Sequence, residues 1–166
     1  MPVHSDFFFY TSALILSFVS GMRSMMALAV LSLTLTRRPE LAPAAAAAPV
    51  EWFTLRPLAI VLGLAALGEL IADKLPRTPN RIALGPFVGR LALGALAGAA
   101  LVQLGRINPW IGAACGVIGA IAGTFGMFYL RRYAGRATEI SDPYLGAIED
   151  VLAIAIASTV VAMLVG

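Results

Sequence analysis

"FFFYTSALILSFVSGMRSMMALAVLSLTLT", Phe7 to Thr36, is apolar apart from hydroxyl-bearing residues, one glycine and one arginine, Arg23. A straight helix over it would be about 45 Å long at 1.5 Å per residue, against about 30 Å of hydrocarbon in a bilayer. The helix must tilt, project or break. "SGMR" at Ser20 to Arg23 is the expected break, because glycine marks helix kinks. If the helix continued, Arg23 would lie about 24 Å from Phe7 and about 21 Å from Arg37, deep inside the bilayer. A guanidinium cannot escape burial by deprotonating, so it needs a carboxylate, carbonyl oxygens or water.

The rest of the chain has the same character. Of 166 residues, 60% are hydrophobic and 13% charged, where soluble domains run near half and a quarter. This is the composition of an integral membrane protein. Four more apolar stretches, 57–75, 84–104, 109–130 and 144–165, each fit one crossing of about 20 residues. The expected fold is therefore all-α: one transmembrane domain, 1–166, of about five spanning helices, the first (7–36) long or broken near Gly21. The loop 37–56 holds prolines, an alanine run and the headgroup-level anchors Trp52 and Phe53.

Several functions are disfavoured. His4 is the only histidine and Cys115 the only cysteine, so neither a multi-histidine metal site nor a Ser-His-Asp apparatus is expected. HExxH, GxSxG and Walker-type motifs are missing from the sequence, and no enzyme activity or cofactor is expected. The net charge of +3 is spread over loop arginines, which suits lipid headgroups and not nucleic acid. No Lys or Arg precedes the first apolar run, so that helix is expected to be retained and not cleaved as a signal peptide.

The other charges in apolar surroundings are acidic. Glu69 and Asp73 are four apart and share a helix face, with Lys74 about 100° round it. Glu149 shares a face with Gly146, Ala153 and Ala157, and Asp150 stands beside it. Arg23, Glu69, Asp73, Lys74, Glu149 and Asp150 form the candidate buried site, with Arg23 expected to pair with at least one of the carboxylates. The plainer alternatives are charges decorating helix ends and a purely structural ion pair.

Gly112, Gly116, Gly119, Gly123 and Gly126 fall at steps of four and three on one helix face, and Gly94 and Gly98 repeat the small-xxx-small spacing. Such faces let helices approach closely in lipid. A faint echo relates the stretch ending in Arg37-Arg38 and followed by Glu69 to the one ending in Arg131-Arg132 and followed by Glu149. If it reflects duplication, the three-helix offset gives the two units opposite orientation, an inverted repeat. With five crossings, Lys74, Arg77, Arg81, Arg131, Arg132 and Arg136 face one side, and Arg37, Arg38, Arg56 and Arg106 the other. The positive-inside rule then favours a cytoplasmic N-terminus and an external C-terminus.

"GMRS" at Gly21 to Ser24, "GELIADKLP" at Gly68 to Pro76 and "AIEDVLAI" at Ala147 to Ile154, in that order between apolar helices, resemble the domain-of-unknown-function 4126 family. Its members are small prokaryotic integral membrane proteins, which implies location in the inner (cytoplasmic) membrane. The resemblance covers nearly the whole chain and implies Arg23, Glu69, Asp73, Lys74, Pro76, Glu149 and Asp150 as signature positions. Ser24-Met25-Met26 departs from the proline or aromatic residue that the pattern has after the arginine. The family carries no established activity. Two main readings stay open: a small transporter, channel or lipid-handling protein with a buried Arg/carboxylate site, and a non-enzymatic scaffold or assembly subunit; a third, disfavoured by the missing motifs, is an intramembrane enzyme using Asp73 with Glu69 or Glu149 with Asp150 for acid/base work. Membrane lipid and a homo-oligomer or larger membrane complex are the expected partners.

Overall fold

The computed structural model describes residues 5–43, 47–73, 83–137 and 142–165, and among these no strand occurs. Seven α-helices follow in order: α1 Asp6–Met22, α2 Met26–Arg37, α3 Val50–Phe53, α4 Arg56–Ala72, α5 Leu84–Leu104, α6 Pro109–Ala137 and α7 Asp142–Val165. A short 3-10 turn covers Pro39–Leu41. Local chemistry accounts for several ends. Ser5 Oγ accepts from the Phe8 N–H at 3.4 Å to start α1, and Pro57 stands in the first turn of α4, where a missing N–H costs nothing. Asn108 Oδ1 accepts from the Trp110 N–H at 3.0 Å as α6 begins.

Contacts fix the directions of the helices. Going up α1, Leu14 meets Gly119, Phe18 meets Gly123 and Gly21 meets Thr124 on α6. The two helices therefore run the same way. Ser17 Oγ bonds the Gly94 carbonyl at 2.8 Å, Arg90 reaches Gly21, and Phe9 covers Gly105, so α5 runs against α1. The start of α2 lies at the end of α4, where Glu69 bonds Ser24, and Ser32 Oγ near its other end bonds the Phe53 carbonyl just before α4. Hence α2 runs against α4. Gln103 Nε2 bonds the Ala48 carbonyl at 3.1 Å, which places the segment before α4 beside the α5–α6 turn and the beginning of α1.

It follows that the chain reverses between α1 and α2. The first apolar stretch is a helical hairpin with its turn at Arg23 to Met25. Of the two expectations, long or broken near Gly21, the structure shows the break, and the break is a reversal of direction because both halves find better partners apart. The α1 half packs on α5 and α6, while the α2 half packs on α4 and α7. One sequence expectation changes with it. The beginning of α1 shares a side with the α2–α4 connection, so a five-crossing alternation of sides does not describe the chain. The helix that ends at Arg37 is α2, which runs against α1 and therefore against α6, so the two basic-ended helices run in opposite directions.

Among the described residues three helices, Leu84–Leu104, Pro109–Ala137 and Tyr144–Leu164, are long and apolar enough to cross a membrane. Exposed large aromatics gather at two levels. Phe7, Trp52 and Trp110 lie at one end of the bundle, and Tyr129, Tyr133 and Tyr144 at the other. Trp110 and Tyr129 on α6 are about 28 Å apart by helical rise.

The glycine stripe on α6 is divided between two neighbours. Gly112 and Gly116 lie against the Gly98 and Gly94 backbones of α5, and Gly119 and Gly123 against the Leu14 and Phe18 carbonyls of α1. At Gly123 or Gly116 a Cβ would strike backbone and not a yielding side chain. Gly126 does not belong to this packing: it is exposed, and a Cβ there would only touch Phe18 Cε2 at 3.9 Å. The hairpin turn has by then carried α1 away.

Candidate functional site

A broken helix inside a bundle leaves N–H and C=O groups with no intrahelical partner, and in an apolar setting each must be satisfied. Here side chains from three other helices do this. The Glu69 carboxylate on α4 accepts the Ser24 N–H at 2.7 Å through Oε1 and the Met25 N–H at 2.9 Å through Oε2. It sits at the positive end of α2, where a carboxylate is electrostatically favoured. The Gly21 carbonyl, at the negative end of α1, accepts Arg90 Nη1 from α5 at 3.2 Å and Thr124 Oγ1 from α6 at 3.3 Å. Each half-helix thus ends on a charge of the sign that its dipole favours.

Arg23 itself leaves the helix. It adopts extended backbone angles, φ −136° and ψ 111°, and its side chain is 1% exposed, the largest fully buried side chain among the described residues. Its Nη1 lies 2.5 Å from Asp73 Oδ2, and its Nη2 lies 2.6 Å from Asp150 Oδ1 and 3.9 Å from Glu149 Oε2. Nη2 also donates to the Gly146 carbonyl at 3.4 Å. A second guanidinium joins from α6, with Arg131 Nη1 3.4 Å from Asp73 Oδ2 and 3.6 Å from Glu149 Oε2. Gly146 leaves room for it: a Cβ there would be 3.4 Å from Arg131 Nη2. The planar forks of two arginines bridge carboxylates from α4 and α7 in a way that a lysine's point charge could not.

The structure brings together Arg23, Asp73, Glu149 and Asp150 from the sequence-derived set. Glu69 stands apart from Arg23 and serves the α2 backbone. Lys74 lies outside the described residues. Arg90, Arg131 and Thr124 complete the arrangement, and sequence reasoning misses them. The criterion that selects Arg23, a cation inside an apolar Gly/Ala-rich run, also selects Arg90. Arg131 reads in sequence as part of a basic helix end, because its place on the inward face depends on how α6 meets α4 and α7.

The level of the site also differs from expectation. Arg131 follows Tyr129 by two residues, so the network lies near the tyrosine-bearing end of the bundle and not midway along it. Reversal of the chain at Arg23 puts the arginine at the far end of α1. A groove of about 210 Å³ between α6 and α7 ends on this network, with Arg131 and Glu149 among its lining residues.

A family model described as Domain of unknown function (DUF4126) matches residues 11–165. No curated protein and no solved structure matches the chain.

Proposed function

The chain belongs to the family of domains of unknown function 4126, and from that premise together with the buried ion network we propose an integral membrane transport protein of the prokaryotic cytoplasmic membrane. Its network is the closed gate of a proton-coupled path for a small anionic solute. The observation that carries this reading is the interrupted helix at Arg23, whose two ends are held by Glu69 and by Arg90 with Thr124 instead of by continuous backbone bonding. Discontinuous helices with charged groups at their ends form the substrate sites of many secondary transporters.

The network supplies a coupling chemistry. Arg23 is held by carboxylates on two sides, so a proton taken up by the network neutralises one of them while the other stays in place. The side of the guanidinium freed in this way takes a carboxylate or phosphate group of the solute, and one proton accompanies one anionic charge. Arg131, shared between Asp73 and Glu149, links the movement of α6 to the same exchange.

The positive-inside rule supplies an orientation. The sequence between α4 and α5 holds Lys74, Arg77 and Arg81 and the tail of α6 holds Arg131, Arg132 and Arg136, against Arg37, Arg38, Arg56 and Arg106 around the other connections. On this reading the network end is cytoplasmic and, with the hairpin, the beginning of α1 is outside instead of cytoplasmic, like the end of α7. The first stretch then enters the membrane and returns without full-length spans, since α1 and α2 are only about 25 and 18 Å long.

A scaffold that docks through glycine faces needs them open to partners, and α6 uses most of its glycines internally. Gly85 and Gly89 on α5 remain, four apart with open space where a Cβ would stand, and they suit contact with a second copy. The deciding experiment uses proteoliposomes with a lumenal pH dye, challenged with inorganic phosphate, sulfate or dicarboxylates. Saturable lumenal acidification with one of these, lost in Arg23→Lys, is expected. No response above protein-free vesicles, together with stoichiometric co-purification in a larger complex, supports the scaffold instead.

A further inference from the structure

Helix α7 packs on α1 and α2 and meets α6 only sparsely. The two diverge from their meeting point at Gly146 and Arg131, and the groove between them is walled by Met127, Leu130, Leu145, Ile148 and Leu152. Ile148 and Leu152 also border a second apolar trough of about 360 Å³ along α7 that includes Tyr144 and Val151. Two apolar grooves therefore lie along α7 and share Ile148 and Leu152. The charged end of the first is specific: Arg131, partly exposed at 18%, lies between the groove and the buried carboxylates. Arg132 and Arg136, both exposed, add positive charge at the same level, and Tyr129, Tyr133 and Tyr144 mark that level as the headgroup boundary.

We propose that the α6–α7 groove is a lateral site for one anionic phospholipid, with an acyl chain along Ile148 and Leu152 and the headgroup phosphate held by Arg131. The apolar walls select the chain. The arginines select the phosphate, because a guanidinium presents five N–H donors and serves a carboxylate and a phosphate together. A lipid bound there reaches the same Arg131 that contacts Asp73 and Glu149, so membrane charge sets how firmly the network is held. The site does not depend on the transport reading: it stands on the groove, its charge and its level.

Native mass spectrometry of the full chain in mild detergent tests it, with phosphatidylglycerol and phosphatidylcholine of identical chains as probes. At least five-fold preferential retention of one phosphatidylglycerol is expected. Ile148→Trp, which fills the groove from an exposed position, should abolish the preference, whereas Ile111→Trp at the opposite end of α6 should keep it. Arg132→Gln should reduce it without disturbing the buried network. Equal retention of the two lipids overturns the proposal, as does a preference that survives Ile148→Trp. A dimer mass that Ile148→Trp abolishes while lipid retention stays unchanged also overturns it, by giving the groove to a second copy of the chain.

Discussion

Glu69 Oε1 accepts a 2.7 Å hydrogen bond from the backbone N–H of Ser24, a residue 45 positions earlier in the chain. With the bond from Met25 to the other oxygen, it replaces the backbone partners that α2 lost when the first helix broke. Glu69→Ala should therefore cost about 3 kcal/mol, as expected for charge-assisted bonds to partly buried groups. Glu69→Gln, which keeps one acceptor oxygen, should cost about half as much. Thermal unfolding in detergent reads the difference. Equal melting of the two variants and the parent would mean that the cap contributes nothing.

Arg23 meets two carboxylates at 2.5 and 2.6 Å in nearly complete burial. Removing one partner of such a network strands the others, so Arg23→Ala should lose about 3–5 kcal/mol. Arg23→Lys should recover little, since one ammonium does not span Asp73 and Asp150. Arg106 is the contrast. It is exposed, with φ of 59° in the turn after α5. Arg106→Gly should be neutral or raise stability by about 1 kcal/mol, because glycine adopts that left-handed conformation without steric cost.

The glycines of α6 separate into those that are required and one that is not. Gly123→Ala drives a methyl into the Phe18 carbonyl and should cost about 1–3 kcal/mol as α1 and α6 move apart. Gly126→Ala should cost nothing. If both were tolerated alike, the close approach of α1 and α6 would be in doubt.

Ser20, fully buried, has a hydroxyl without a hydrogen-bond partner among the described residues. A buried unsatisfied hydroxyl is unfavourable, so Ser20→Ala should raise stability by about 1 kcal/mol in the same unfolding assay. A clear loss would show that the hydroxyl is used.

Much of this was legible in the sequence. Helices α5, α6 and α7 begin within two residues of where the apolar runs begin, since proline, glycine and charge punctuate those runs sharply. The acidic positions that meet Arg23 were legible because a carboxylate set in an apolar run needs a cation or a backbone donor to face. The reversal was not. Apolar periodicity reports that a segment is helical and says nothing of whether two halves continue or fold back, and Ser24-Met25 carries no turn signature. The partition of the glycines and the inward aim of Arg131 depend on that reversal, so they stayed hidden with it. Glu69 illustrates the same limit: its depth marked it as important, while its partner turned out to be backbone and not Arg23.

The cap, the network and the proposed gate all depend on the chain reversing direction at Arg23, and thiol labelling from one side of the membrane tests that reversal most directly. In a Cys115→Ala background, single cysteines at Ser5 before α1, Asn108 between α5 and α6, and Gly135 near the end of α6 are exposed to a membrane-impermeant reagent in oriented vesicles. All three positions are exposed in the structure. Ser5→Cys and Asn108→Cys should react from the same side and Gly135→Cys only from the other. Labelling of Ser5→Cys from the same side as Gly135→Cys, and opposite to Asn108→Cys, would contradict the hairpin and restore a single continuous first helix.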